Sequence, residues 1–376
     1  MKTNKLKVVT IIGTRPDIIK LSEVIKAFDV FFDHILVHTG QNYDYSLNQI
    51  FFEDLNLRMP DEFLDVVGNN LGQTMGNIIS KSYDLLYKIK PDAVFILGDT
   101  NSALSGISAK RLKIPLFHYE AGNRCFDENL PEEINRRIVD HISDVNLTFS
   151  SNAKQYLISE GLDKQFIFEI GSPMTEIITS NLDKITNSKI LTDLNITMDE
   201  FVLCSIHREE NVDHEETFLS IMEALSRIVI EFNKDVVFAV HPRTRRKINE
   251  LNISLNERIF LIDPVAFSSY CKLQINAYCV ISDSGTLSEE ASYFKFPAVS
   301  IRTSTERPEG IEKGVFLIGN TNPNNIIQSV FISREFNNSS IEQSEVPAYT
   351  EKNVSSRIVK IIQGYVSIIN KLVWRK

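Results

Sequence analysis

Short runs rich in β-branched residues alternate along this chain with longer stretches of helical period. That alternation is the pattern of a parallel sheet covered by helices on both faces, because parallel strands need a crossover long enough to return to the same end of the sheet. A first series of strand candidates lies at 8–12, 34–38, 93–97, 115–119, 145–147 and 166–169, with helical stretches such as 75–89 and 134–142 between them. A second series follows at 201–206, 236–240, 259–262, 279–282 and 298–301. The polar stretch 180–200 separates the two and reads as a linker or as the first helix of a second domain. Near the end, Val354, Ile358, Ile361, Ile362, Val366 and Ile369 recur at helical spacing, which predicts a terminal helix over 354–376 that packs back on the first domain. The expected fold is α/β with two Rossmann-like domains built on parallel sheets. Residues 1–171 plus the terminal helix form the first domain and 172–353 the second.

A chain of 376 residues is long enough for two cores of ordinary domain size. The formal charge of −9 argues against a general nucleic-acid surface, which needs a basic stripe that neutralises many phosphates at once. The apolar run at 8–12 is too short for a signal-peptide core, and no segment approaches the ~20 apolar residues of a membrane helix. Cys125, Cys204, Cys271 and Cys279 include no C-x-x-C pair and do not resemble a disulfide framework. These readings together predict a cytoplasmic protein with reduced thiols and no membrane insertion.

In open parallel sheets ligands sit beyond the carboxyl ends of the strands, and here those ends are polar. After 8–12 comes Gly13-Thr14-Arg15-Pro16, leading into a helix with Lys20 one turn inside. A glycine turn, a helix start and two cations suit a diphosphate, although the tetrapeptide serves equally as a plain βα turn with surface cations. After 93–97 comes Gly98-Asp99-Thr100, and after 115–119 comes Glu120-Ala121-Gly122-Asn123-Arg124. Acids held against a sheet end are desolvated, and desolvation moves a carboxylate pKa toward what proton transfer needs. Pro131-Glu132-Glu133 adds a third acidic site, which is also ordinary helix-start chemistry. Arg136 and Arg137 are available to pair with these acids, as catalytic partners or as a structural network.

The second half repeats the pattern. His207-Arg208-Glu209-Glu210-Asn211 follows one strand, His241-Pro242-Arg243 the next, and Asp283-Ser284-Gly285-Thr286 precedes a helix over 287–293. The amides of Ser284 and Gly285 suit phosphate, and Glu290, one to two turns inside, suits ribose hydroxyls. Thr305-Glu306-Arg307-Pro308-Glu309-Gly310 is a compact polar loop in which Arg307 is a further anion candidate. There is no G-x-G-x-x-G after a strand, no G-x-x-x-x-G-K-[ST], no H-E-x-x-H and no G-x-S-x-G. His34 and His38 lack acidic or thiol partners nearby in sequence, so no metal site is expected.

Taken in order, Gly13-Thr14-Arg15-Pro16-Asp17-Ile18-Ile19-Lys20, Gly98-Asp99-Thr100, Glu120-Ala121-Gly122, Pro131-Glu132-Glu133, His207-Arg208-Glu209-Glu210-Asn211, Asp283-Ser284-Gly285 and Glu306-Arg307-Pro308-Glu309 resemble the motifs of the non-hydrolysing UDP-N-acetylglucosamine 2-epimerases. The resemblance runs from about residue 7 to 315. It implies a glycosyltransferase-B-like pair of Rossmann-like domains, with the active site in the interdomain cleft, UDP bound largely by the second domain, no cofactor, and a homodimer. The spellings Thr39-Gly40-Gln41-Asn42-Tyr43-Asp44-Tyr45, Gly122-Asn123-Arg124-Cys125-Phe126-Asp127, Arg136-Arg137-Ile138-Val139-Asp140-His141 and His207-Arg208-Glu209-Glu210-Asn211-Val212-Asp213 are similar to one branch. That branch converts UDP-2-acetamido-2,6-dideoxy-L-talose to UDP-N-acetyl-L-fucosamine for capsule or O-antigen. Three departures stand out, one of them a loop between Glu120 and Glu132 that is shorter than in the general type. Asn42 replaces the histidine that usually follows Thr-Gly-Gln, and Thr286 replaces the second glycine of Asp-Ser-Gly-Gly.

The resemblance implies that UDP leaves C1 as C2 loses its proton, and that the 2-acetamidoglycal then regains UDP at C1 and a proton on the opposite face of C2. Asp99, Glu120 and Glu132 become the acid and base candidates, unranked. Arg15, Lys20 and His207 face the diphosphate. Ser284, Gly285, Thr286 and Arg307 join them with His241, Glu290 binds ribose, and Tyr270 is a candidate for the uracil or equally a core tyrosine. The competing readings are a UDP-N-acetylglucosamine 2-epimerase that makes UDP-N-acetylmannosamine, a retaining glycosyltransferase of the same fold, and a UDP-sugar sensor without turnover.

Overall fold

The computed structural model describes residues 5–40, 48–339 and 343–376. The chain divides into two compact units, one running to Thr179 and resuming at Pro347, the other Ser180–Val346. Among the described residues the first unit carries β1 (Lys7–Ile12), β2 (Asp33–His38), β3 (Glu62–Phe63), β4 (Ala93–Leu97), β5 (Leu116–Tyr119), β6 (Val145–Thr148) and β7 (Ile167–Glu169). They form one parallel sheet in the order β3-β2-β1-β4-β5-β6-β7. The second unit carries β8 (Phe201–Ile206), β9 (Asp235–Val240), β10 (Ile259–Ile262), β11 (Cys279–Ser282), β12 (Ala298–Ser300) and β13 (Leu317–Ile318). Its sheet, also parallel, runs β10-β9-β8-β11-β12-β13.

Both sheets are the doubly wound α/β kind expected. In each, the chain starts at a central strand, builds outward to one edge, then returns past its start and builds the other way. The gaps between β1 and β4 and between β8 and β11 are therefore topological switch points, where crossovers leave on opposite faces and a crevice opens beyond the carboxyl ends. Helices cover both faces, which explains why β4 reads AVFIL with every residue buried instead of alternating. Val9, Ile11, Val94, Ile96 and Leu116 share one core with Ile78 and Leu86. In the second unit Val202, Cys204, Val236, Phe238 and Ile281 pack with Phe218, Leu225 and Ile228.

The strand expectations need small corrections. Position 115 is a proline without an N–H; its carbonyl accepts from Val94 at 2.9 Å, and pairing as a strand begins only at Leu116. Phe166 closes a short 3-10 turn, Lys164–Phe166, capped by Asp163. The stretch at 180–200 is helical in part, with Leu182–Asn187 and Ile190–Asp193.

The helix Val354–Leu372 belongs to the first unit and lies against the helix Ser22–Phe31, with Val354, Ile358, Ile362, Val366 and Ile369 buried. Its first turn is tied down from two sides. Glu176 accepts from the Ser355 amide at 2.9 Å and its hydroxyl at 2.5 Å, while Arg357 donates to the carbonyls of Ile170 and Glu169 at 2.9 and 3.0 Å. Gly171 has φ +92°, and a Cβ there would stand 2.5 Å from Glu351 Cγ, so the returning chain approaches as closely as only glycine allows. Among the described residues no helix is long and apolar enough to cross a membrane.

Candidate active site

The first switch point gathers the acids and cations of the first unit. Lys20, on the helix Arg15–Lys20 that follows β1, donates to both oxygens of Glu120 at 2.8 and 2.6 Å. Both side chains are about nine-tenths buried, so removing one partner would strand a charge, a loss of roughly 3–5 kcal/mol. Glu120 itself has φ +66°, a left-handed backbone that costs a non-glycine residue about 1–3 kcal/mol. A Cβ on Gly98, at the end of β4 next door, would stand 3.4 Å from Glu120 Oε2.

Asp99 is gripped at one oxygen by Arg136, with Nε at 3.0 Å and NH2 at 2.5 Å. Arg136 is set in turn by Glu133, fully buried, which also accepts from the Cys125 amide at 3.2 Å and from Arg137. Burial raises the Glu133 pKa, but the Cys125 donors and the two arginines outweigh it and hold the carboxyl below its ordinary value. The neighbouring Asn135 donates to the Asp99 carbonyl at 3.0 Å. Glu132, half-buried, is the second residue of the same helix, Pro131–Ile142. Arg15 is also half-buried, its guanidinium 5.9 Å from the centre of the Phe51 ring.

A wholly buried pair underlies these strand ends. His118 Nε2 lies 2.7 Å from the Gly98 carbonyl and its Nδ1 3.0 Å from Asp140, which accepts from the Gly122 amide at 3.1 Å and from Arg124 at 2.7 Å. Nothing in the sequence spacing announces this pair; its members meet only because β5 and the helix Pro131–Ile142 are neighbours.

At the second switch point Asp283, fully buried after β11, organises the segment after β8. It accepts from the amides of His207 and Arg208 at 3.0 and 2.9 Å and from Asn211 at 3.1 Å, and His207 Nδ1 stands 3.0 Å from it. Burial works to raise its pKa, yet His207 and the Arg208 donors hold it well below the usual carboxylate range. His207 is thereby oriented by a fixed anion, with the ring of His241 centred 6.3 Å away. His241 caps the helix Pro242–Glu250, accepting from the Arg243 amide at 3.2 Å.

After Asp283 the Ser284 and Thr286 hydroxyls lie 3.0 Å apart, ahead of the helix Leu287–Phe294. A Cβ on Gly285 would stand 2.9 Å from Glu306 Oε1, a carboxylate paired with Arg302 at 2.6 Å. Glu290 accepts from Gln274 at 2.6 Å; Tyr270 precedes Gln274 by one turn on the helix Phe267–Asn276 and so shares its face. Arg307, 1% exposed, donates to Glu289 at 3.0 Å. Asn42 lies outside the described residues. Among the described residues no group of three or more His, Cys, Asp or Glu is placed to hold a metal ion.

Two parallel α/β units with charged switch points define a glycosyltransferase-B-like class of protein, and the comparisons narrow the class to a family. The chain belongs to the UDP-N-acetylglucosamine 2-epimerase family, which it matches over residues 26–363. It is 44% identical to UDP-N-acetylglucosamine 2-epimerase from Rickettsia bellii, whose structure superposes with a TM-score of 0.92 over 99% of this chain and 100% of that one. The Methanocaldococcus jannaschii UDP-GlcNAc 2-epimerase, solved in complex with UDP-GlcNAc and UDP, is 34% identical with a TM-score of 0.89, covering 95% of this chain and 99% of that one. A further relative is the Pseudomonas aeruginosa UDP-2,3-diacetamido-2,3-dideoxy-D-glucuronate 2-epimerase, 36% identical over 86% of this chain and 91% of its own length.

Proposed function

We propose that the protein inverts C2 of a UDP-2-acetamido sugar by eliminating UDP and adding it back. The observation that carries this reading is the pairing at neighbouring strand ends: Asp99 after β4 and Glu120 after β5, each held in place by its own cation, Arg136 and Lys20. The C2 hydrogen of such a sugar is not activated by an adjacent carbonyl, so direct deprotonation is slow. Elimination avoids the problem. The C1–O bond breaks and its electron pair leaves with UDP, the C2 proton passes to a carboxylate, and a 2-acetamidoglycal results. Re-addition of UDP at C1 with protonation of C2 from the other face completes the inversion, without net change in composition. The chemistry needs a base on one face, an acid on the other and cations at the leaving diphosphate.

Asp99, Glu120 and Glu132 supply the proton transfers. Arg15, Lys20 and His207 stabilise the departing diphosphate, helped by Ser284, Gly285, Thr286 and Arg307. Glu290 binds the ribose, and His241 and Tyr270 complete the nucleotide site. The substrate we assign is UDP-2-acetamido-2,6-dideoxy-L-talose, giving UDP-N-acetyl-L-fucosamine for a surface polysaccharide, on the branch-specific spellings around Cys125 and Arg136. A second reading, UDP-N-acetylglucosamine to UDP-N-acetylmannosamine, is favoured by the names of the Rickettsia and Methanocaldococcus relatives.

The test is incubation with each UDP-sugar in deuterated water, followed at C2 by proton NMR. Deuterium at C2 of the L-fucosamine product, with no free sugar, supports the assigned substrate. Exchange only with the gluco sugar selects the second reading. Binding without exchange of either sugar overturns the epimerase reading.

A further inference from the structure

Asp17 is buried, titratable and unused by the mechanism above. Its Oδ2 accepts from the Gly13 amide at 2.8 Å and the Thr14 amide at 3.1 Å on its own side, and on the other from the Ser102 hydroxyl at 3.2 Å, which is paired in turn with the Thr100 hydroxyl at 2.6 Å. Gly13 and Thr14 form the turn that follows β1 and leads to Arg15; Thr100 and Ser102 closely follow Asp99 after β4. One carboxylate oxygen therefore bridges the two sides of the first switch point. From the bridge and these three donors, we infer that Asp17 is a positioning residue that locks the Arg15 turn and the Asp99 turn in register, so that leaving-group stabilisation and proton transfer act on one substrate geometry. The inference rests on the roles assigned above to Arg15 and Asp99.

Burial makes the bridge conditional on charge. The side chain is 2% exposed, and desolvation, only partly offset by the Gly13 and Thr14 amides, by Lys20 and by Ser102, raises its pKa from 3.8 to about 6. Lys20 is the charged group acting on it from its own helix, already engaged by Glu120, while the β4 turn opposite offers the Ser102 hydroxyl, itself paired with Thr100. Protonation weakens Oδ2 as an acceptor for all three donors at once, since charge-assisted hydrogen bonds are about twice as strong as neutral ones. A misplacement near 1 Å costs about a hundredfold in rate, so partial loosening should be visible.

The test uses the full-length protein and its D17N variant, which keeps an acceptor oxygen and the side-chain shape. Amide resonances of Gly13 and Thr14 are followed without substrate from pH 5 to 8, and kcat for C2 exchange is measured over the same range. We expect both amides to titrate with a single shared midpoint in the wild type and to stay flat in D17N. Wild-type kcat should fall through that midpoint, and D17N should lose this acid limb and run about tenfold below the wild-type plateau. Flat wild-type amides, or a D17N enzyme that keeps the wild-type acid limb, overturn the bridge. Absence of exchange in the wild type with either UDP-sugar would instead remove the proposed function, and the amide titration would still decide for or against the bridge.

Discussion

Asp17 and Asp283 stand at equivalent switch points, and burial has opposite outcomes for them. Asp283 faces His207, Arg208 and Asn211, enough donors to overcome desolvation and hold it below the usual range. Its contribution to stability is present above the unfolded pKa of 3.8 and is lost as pH falls through the depressed folded value. Asp17 has fewer compensating charges, and its folded pKa rises to about 6. The sign is reversed: between about 6 and 3.8 the folded protein binds the proton more readily than the unfolded chain, so stability rises as pH falls through that window. Keeping the group ionised at neutral pH costs the fold on the order of 3 kcal/mol. D17N should accordingly be more stable than the wild type to urea at pH 8, by up to about that amount, with the gap closing toward pH 4. A D17N protein that is less stable at pH 8 would contradict this. Together with a lower kcat, higher stability in D17N would identify a site that retains a destabilising charge for its function.

At the scale of elements, the helix Pro131–Ile142 acts as a second support for the acids. It offers Glu132 near its start, Arg136 to Asp99 a turn later, and Asp140 to the Gly122 amide after that. These positions are four apart, so they line one face of the helix. The helix Val354–Leu372 confines its polar ties to the first turn, at Ser355 and Arg357, and its buried stripe beyond that is apolar. Ile362, wholly buried, is therefore a clean probe of how much this helix contributes. Ile362→Ala should destabilise the first unit by about 2–5 kcal/mol. Hydrogen exchange should show faster opening at β1 and at the helix Ser22–Phe31, with the amides of β8 and β11 unchanged; slowed or unaltered exchange in the first unit would refute it.

For the molecule as a whole, much of the architecture is legible in the amino-acid sequence. The two series of strands can be read because a strand buried on both faces writes a continuous apolar run, and nearly every such run is a strand in the fold. β3 and β13 cannot be read this way: each has two residues and lies at a sheet edge, so it leaves no period to detect. Strand-end positions such as Asp99, Glu120, His207 and Asp283 are visible because the sheet rule says where to look. Their partners are visible only in part. Arg136 is one of two arginines available, and the fold gives it to Asp99 while Arg137 goes to Glu133 and Glu128. Lys20 with Glu120 and His118 with Asp140 are pairs across long sequence separations, fixed by the order of strands and by no local pattern.

The division of the chain also has a temporal side. The second unit is a continuous stretch, whereas the first is interrupted by it and takes back the segment from Pro347 onward to cover the helix Ser22–Phe31. A ribosome makes the chain in one direction, and domains fold as units as they emerge. The first half to be made is thus the last to be finished: the apolar face of the helix Ser22–Phe31 waits partly bare while the intervening unit is synthesised and folds. A nascent chain stalled before Val354 would present that bare face to chaperones and proteases.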